Sequence, residues 1–115
     1  MHEAIYQRLT ELAKTAHLAT YSQIAPLADL SMDTEEGRAE ISRLLGQIAR
    51  HGDAAGRPML TALVVHAGQD NNPGEGFFAI AQEFGRFSGS RNQLQRLEFW
   101  VQEVNAVRAH WAPRR

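Results

Sequence analysis

Apolar residues recur at helical spacing at the start of the chain. Ile5, Leu9, Leu12, Ala13 and Ala16 share one face, Tyr6 lies beside them, and Glu3, Arg8, Glu11 and Lys14 point outward. The pattern predicts an amphipathic helix over residues 5–16. Thr20 is placed to cap a short second helix carrying Tyr21, Ile24, Ala25 and Leu27, with Pro26 about one turn in. Residues 29–33 read as a turn. Asp33 followed by Glu36 resembles a capping box, and it opens a longer helix to about Arg50 whose buried stripe is Ile41, Leu44, Leu45 and Ile48.

Gly52 and Gly56 frame a polar loop, after which residues 59–65, Met-Leu-Thr-Ala-Leu-Val-Val, have the apolar and β-branched character of a buried strand. Residues 67–74 are dense in turn formers, and residues 75–78 either return alongside the strand or begin the next helix. We read this segment as a wing. A brief helix is expected from Phe78 to Phe84, ended by Gly85. A final helix from about Asn92 to Trp111 is expected to bury Leu94, Leu97, Trp100, Val101, Val104 and Val107, with Arg114 and Arg115 fraying. The fold class is therefore mostly α with a small β element, a winged helix-turn-helix-like arrangement followed by an amphipathic C-terminal helix.

Composition narrows the chemistry. At 115 residues, without an internal repeat or a linker long enough to separate units, residues 1–115 read as a single domain. The chain has no cysteine, which removes disulfides, thiolate nucleophiles and cysteine-ligated zinc and fits a reducing, cytoplasmic location. Its first residues carry acid and base without an apolar run, so no signal peptide is expected, and no apolar stretch approaches the roughly 20 residues of a membrane span. The net charge of −1 gives no bulk attraction for nucleic acid, so DNA binding would need a local patch. Lys14 is the lone lysine, and the many arginines suit bidentate contacts to phosphate or guanine, although a high-GC coding bias yields the same composition.

Three ordered fragments carry a family likeness. Thr20-Tyr21-Ser22-Gln23-Ile24-Ala25 is similar to a "TYGQIA" segment, Arg43-Leu44-Leu45-Gly46 to an "RAVG" segment, and Leu63-Val64-Val65 to the end of a "PCHRVV" strand, followed by a glycine-containing turn and Gly76-Phe77. The middle of the chain thus resembles the C-terminal winged-helix domain of the O6-alkylguanine-DNA alkyltransferases and alkyltransferase-like proteins. The resemblance covers about half the chain. It implies a DNA contact from Tyr21 and a base-replacing role for Arg43. The family's cysteine and histidine fall near Thr61 and Ala62, neither of which accepts an alkyl group, so the resemblance implies a scaffold without alkyl transfer. Tyr21 reads equally as a half-buried aromatic with a partnered hydroxyl, and Arg43 as an exposed arginine pairing with Glu36 or Glu40.

The remaining candidates are weighed the same way. Arg50, His51 and Arg57, with Arg43, form the main basic group, either flanking a recognition helix or complementing a helix C-terminus. Asp33, Glu35, Glu36 and Glu40 on the same helix oppose phosphate. His66 ends the predicted strand and, with Asn71 and Asn72 of the wing, completes the expected DNA-binding set of Tyr21, Arg43, Arg50, Arg57, His66, Asn71 and Asn72. The five histidines are scattered without metal-ligand spacing, and no nucleophile–base pair, nucleotide loop or cofactor motif is legible, so no catalytic, metal or cofactor site is expected. Trp100 and Trp111 on the last helix are the alternative, as anchors for a protein partner or a second copy of the chain. The reading is a non-enzymatic binder of double-stranded DNA, with a protein-interaction module of the immunity, inhibitor or adaptor kind as the alternative.

Overall fold

The computed structural model describes residues 1–15, 17–67 and 72–112. The chain is mostly helical, with α1 (Glu3–Thr15), α2 (Tyr21–Ile24), α3 (Glu35–Ala54), α4 (Glu75–Glu83) and α5 (Gln93–Trp111). Two short strands, β1 (Ala19–Thr20) and β2 (Val64–Val65), pair in parallel, Ala19 with Val64 and Thr20 with Val65. The Cα radius of gyration of 13.4 Å is that of a compact globule of this length, for which about 13 Å is expected.

The predicted helices form where capping chemistry and periodicity agree. Ile5, Leu9, Leu12 and Ala13 of α1 are buried, while Ala16, assigned to the same stripe, lies outside the described residues. Thr20 caps α2 with a complete capping box: its hydroxyl accepts from the Gln23 amide, and the Gln23 side chain accepts from the Thr20 amide. Pro26 then tightens the chain into a 3₁₀ turn, Ala25–Ala28, closed by Asp29 at φ 55°. Helix α3 is capped by Thr34, not Asp33. The Thr34 hydroxyl accepts from the Gly37 amide at 2.9 Å, and the helix runs one turn past Arg50.

The predicted strand over residues 59–65 is corrected. Leu60–Leu63 is a 3₁₀ turn, and β2 is confined to Val64–Val65. The reason lies in the packing. Leu60 and Leu63 enter a core built from α1, α3 and Val107, whereas Met59 and Ala62 enter a second core with Phe77, Phe78, Ala81 and Phe87. A turn held between two cores buries its side chains on every side. Such a run carries no periodicity to separate strand from helix.

Two other expectations change. Residues 75–78 begin α4 and do not return along β2, so the small sheet comes from β1 rather than from a wing. On α5, Leu94, Leu97 and Val101 are exposed by 63%, 47% and 43%. Trp100, Val104 and Val107 face inward as their spacing indicates, joined by Phe99, whose ring lies near those of Phe77 and Phe87. Arg86 ties the parts together. Its guanidinium donates to Asp53 of α3 at 3.0 and 3.1 Å and to the Arg57 carbonyl at 2.7 Å, and lies 3.7 Å from Glu103 of α5. Among the described residues no helix is long and apolar enough to cross a membrane.

Candidate functional site

Pairing β1 with β2 brings Tyr21, the first residue of α2, beside His66, just past β2. Their rings lie 4.6 Å apart between centroids at a 35° tilt. The Tyr21 hydroxyl accepts from the Gly74 amide at 3.1 Å, so the residue ahead of α4 is tied to the start of α2. Gly74 is needed for close approach: a Cβ there would sit 2.9 Å from His66 Nε2 and 3.1 Å from the Tyr21 hydroxyl. Burial raises the Tyr21 pKa, with the Gly74 amide partly opposing it, so the phenol stays protonated and retains an O–H to donate.

These contacts form one end of a cleft of about 340 Å³ between α3, the Leu60–Leu63 turn and the first turn of α4. Met32, Leu45, Phe77 and Ile80 supply apolar wall. Arg38, Ser42, Thr61, Tyr21 and His66 supply polar groups. Arg38 is held at the rim by a 2.9 Å bond from its guanidinium to the Met32 carbonyl. Thr61 is 7% exposed, and its hydroxyl makes no hydrogen bond among the described residues. Helix α4 opens at Glu75 after Gly74, without a side-chain cap; Tyr21 takes the Gly74 amide and the Gly74 carbonyl takes that of Phe77, which leaves the amides of Glu75 and Gly76 beside the cleft. Glu75, the acid on this wall, is directed to Arg96, which binds its two carboxylate oxygens at 2.7 and 3.1 Å and lowers its pKa.

The sequence-derived candidates divide between this cleft and other surfaces. Tyr21 and His66 line it. Asn72 borders a separate groove with Trp100, and its carbonyl accepts from the His66 amide at 2.9 Å. Asn71 lies outside the described residues. Arg43 is exposed and paired with Glu40, its Nε 3.0 and 3.1 Å from the carboxylate oxygens, and that pairing lowers the Glu40 pKa and raises that of Arg43. Arg50 reaches Glu83 of α4 at 3.1 and 3.3 Å. Seven residues apart, Arg43 and Arg50 share a face of α3. Arg57 is elsewhere: it donates to the Tyr6 hydroxyl at 3.2 Å and lies 5.8 Å from the Trp111 ring centroid.

Neither tryptophan is a free anchor. Trp100 is half-buried and donates its indole N–H to the Ala62 carbonyl at 2.8 Å. Trp111 packs edge-on against Tyr6, and its buried indole N–H has no partner among the described residues. Sequence reasoning missed Thr61, Arg38 and Ser42 as site residues. Arg38, Ser42 and Leu45 do stand at i, i+4, i+7 on α3, a mixed stripe that marks a wall shared by polar and apolar groups.

Comparison with known proteins finds no matching family model, no matching curated protein and no matching solved structure.

Proposed function

We propose that the chain is a non-enzymatic DNA-binding domain of the winged-helix type, built on an alkyltransferase-like scaffold without the alkyl acceptor, and acting in the cytoplasm. One observation supports the reading. Tyr21, Thr61 and Gly74–Gly76, which stand in or next to the fragments carrying the resemblance and are widely separated in sequence, line a single cleft. The resemblance puts the acceptor position near Thr61, and an alcohol cannot form the thiolate that alkyl transfer uses. In this reading α3 faces the duplex with Arg43 and Arg50, and residues 72–74 take the wing's place.

The test is fluorescence anisotropy of a labelled mixed-sequence duplex across a salt series. Two phosphate contacts give a slope of log K against log salt of about −2. Arg43→Ala is expected to reduce that slope by about 1. Absence of binding at low salt overturns the reading.

A second reading, a protein-interaction module, is favoured by one feature. Leu94, Leu97 and Val101 form an exposed apolar stripe at i, i+3, i+7 along α5, bordering a groove that also reaches Trp100. Light scattering over a concentration range tests whether a second copy covers it. Self-association abolished by Leu97→Gln supports this alternative.

A further inference from the structure

We propose that the cleft between α3, the Leu60–Leu63 turn and α4 is a binding site for a phosphate monoester, with the phosphate against the first turn of α4 and the organic body between Leu45 and Phe77. The inference goes beyond duplex binding and does not depend on it.

Two independent observations carry it. Helix α4 has nine residues and opens without a side-chain cap, so the amides of Glu75 and Gly76 and the helix dipole present partial positive charge to the cleft. Thr61, 7% exposed, lines the same cleft with a hydroxyl that has no partner among the described residues. Without such a partner, that hydroxyl is left to bond water or a ligand that enters the cleft.

The charge balance selects the ligand. Arg38 stands at the rim, the Tyr21 hydroxyl keeps its proton available, and Glu75 is drawn onto Arg96 away from the cleft. Amides, guanidinium and hydroxyls together offer more donors than the two oxygens of a carboxylate accept, whereas a phosphate monoester carries three oxygens and close to two charges. The volume of about 340 Å³ falls within the range of small-molecule sites and exceeds what inorganic phosphate alone fills. A phosphorylated metabolite and the 5′-phosphate at a strand end share this chemistry.

The experiment is an amide NMR titration of the full chain with inorganic phosphate, phenyl phosphate, and a short DNA strand with or without a 5′-phosphate. Phenyl phosphate is expected to shift the amides of Glu75 and Gly76 and to bind more tightly than inorganic phosphate. Thr61→Val is expected to weaken it about fivefold, and Arg38→Gln about tenfold or more. Arg8→Gln, on the far side of α1, is the control and leaves it unchanged. Urea unfolding of Thr61→Val separates loss of binding from loss of fold, and the exposed Arg38 provides a variant outside the core. A stronger response to the 5′-phosphorylated strand than to its unphosphorylated form identifies a strand end as the source, and equal responses identify a free phosphate monoester. If neither phosphate probe shifts these amides at millimolar concentration, or both cleft variants bind like the parent, the proposal falls. Duplex anisotropy reads the helix bearing Arg43, so either result is interpretable when the other fails.

Discussion

Gly37→Ala is expected to destabilise the protein by about 1–3 kcal/mol, against the sign that helix propensity gives. Gly37 lies in the first turn of α3, where alanine would ordinarily favour the helix by about 1 kcal/mol. A Cβ at this position, however, would sit 1.9 Å from the Ser31 carbonyl oxygen and 2.8 Å from the Thr34 hydroxyl. Even a close C–H···O contact needs roughly 3.3 Å, so loop and helix must part by more than about 1 Å. The nearest obstacle is backbone and cannot rotate away. Parting them strains the 2.9 Å cap from the Gly37 amide to Thr34, worth about 1 kcal/mol, and overpacking adds about 1–3 kcal/mol. The steric terms outweigh propensity. Urea unfolding of Gly37→Ala beside Thr34→Ala isolates them, since the second variant loses the cap alone and should fall by about 1 kcal/mol. Gly37→Ala as stable as the parent would refute the reasoning. The same displacement moves Met32, whose carbonyl anchors Arg38, so the cleft rim should loosen with it.

Trp100→Phe removes the indole donor from the Ala62 carbonyl and leaves a small void, with an expected loss of about 2 kcal/mol by urea unfolding; a change below about 0.5 kcal/mol would show that water replaces the bond. Arg86→Met strands Asp53 and Glu103 without their shared cation and is expected to cost about 2–3 kcal/mol, with Arg86→Lys recovering only part because it cannot donate from a fixed fork to Asp53 and the Arg57 carbonyl together. Arg96 holds the Glu75 carboxyl below its ordinary pKa, so the stabilisation it provides is present at neutral pH and lost as pH falls through that lowered value. Unfolding measured across acid pH should therefore show the parent losing stability relative to Glu75→Gln as pH falls through and below the ordinary carboxylate value of about 4.3. Parallel curves for the two proteins would exclude the effect.

Where one face of a helix meets one core, the sequence was readable. Ile5, Leu9 and Leu12 of α1, and Ile41, Leu44, Leu45 and Ile48 of α3, are buried as their spacing indicates. Thr20 was readable as the cap of α2 for the same local reason, although the capping box was read at Asp33 and stands at Thr20. Legibility failed where long-range packing decides. The Leu60–Leu63 turn is surrounded by two cores, so its apolar run resembles a strand. On α5, leucines, valines and Trp100 suggested one stripe; Trp100, Val104 and Val107 hold to it, but the aromatic core of Phe77, Phe78 and Phe87 draws in Phe99 and turns Leu94, Leu97 and Val101 outward. The cleft shows both limits. Tyr21, His66 and the glycines around 74–76 stood out as residues, but only the pairing of β1 with β2 and the Tyr21–Gly74 bond bring them to Thr61 and Arg38.

The ion pairs of α3 bear directly on the choice between readings. Arg43 and Arg50 are engaged with Glu40 and Glu83, and phosphate must displace those carboxylates to reach them. Both pairs are well exposed, however, and exposed pairs contribute little, so exchanging a carboxylate for a phosphate oxygen costs little in the pair itself. What remains is repulsion: the released carboxylates stay close to the DNA. That repulsion is screened by salt, while counterion release is opposed by it, so the two effects offset one another across a salt series. Glu40→Gln therefore discriminates. If α3 faces a duplex, this substitution strengthens binding and steepens the salt dependence toward the slope of two free arginines. If α3 carries only surface ion pairs, it alters neither, and the exposed stripe of α5 becomes the surface that explains the chain.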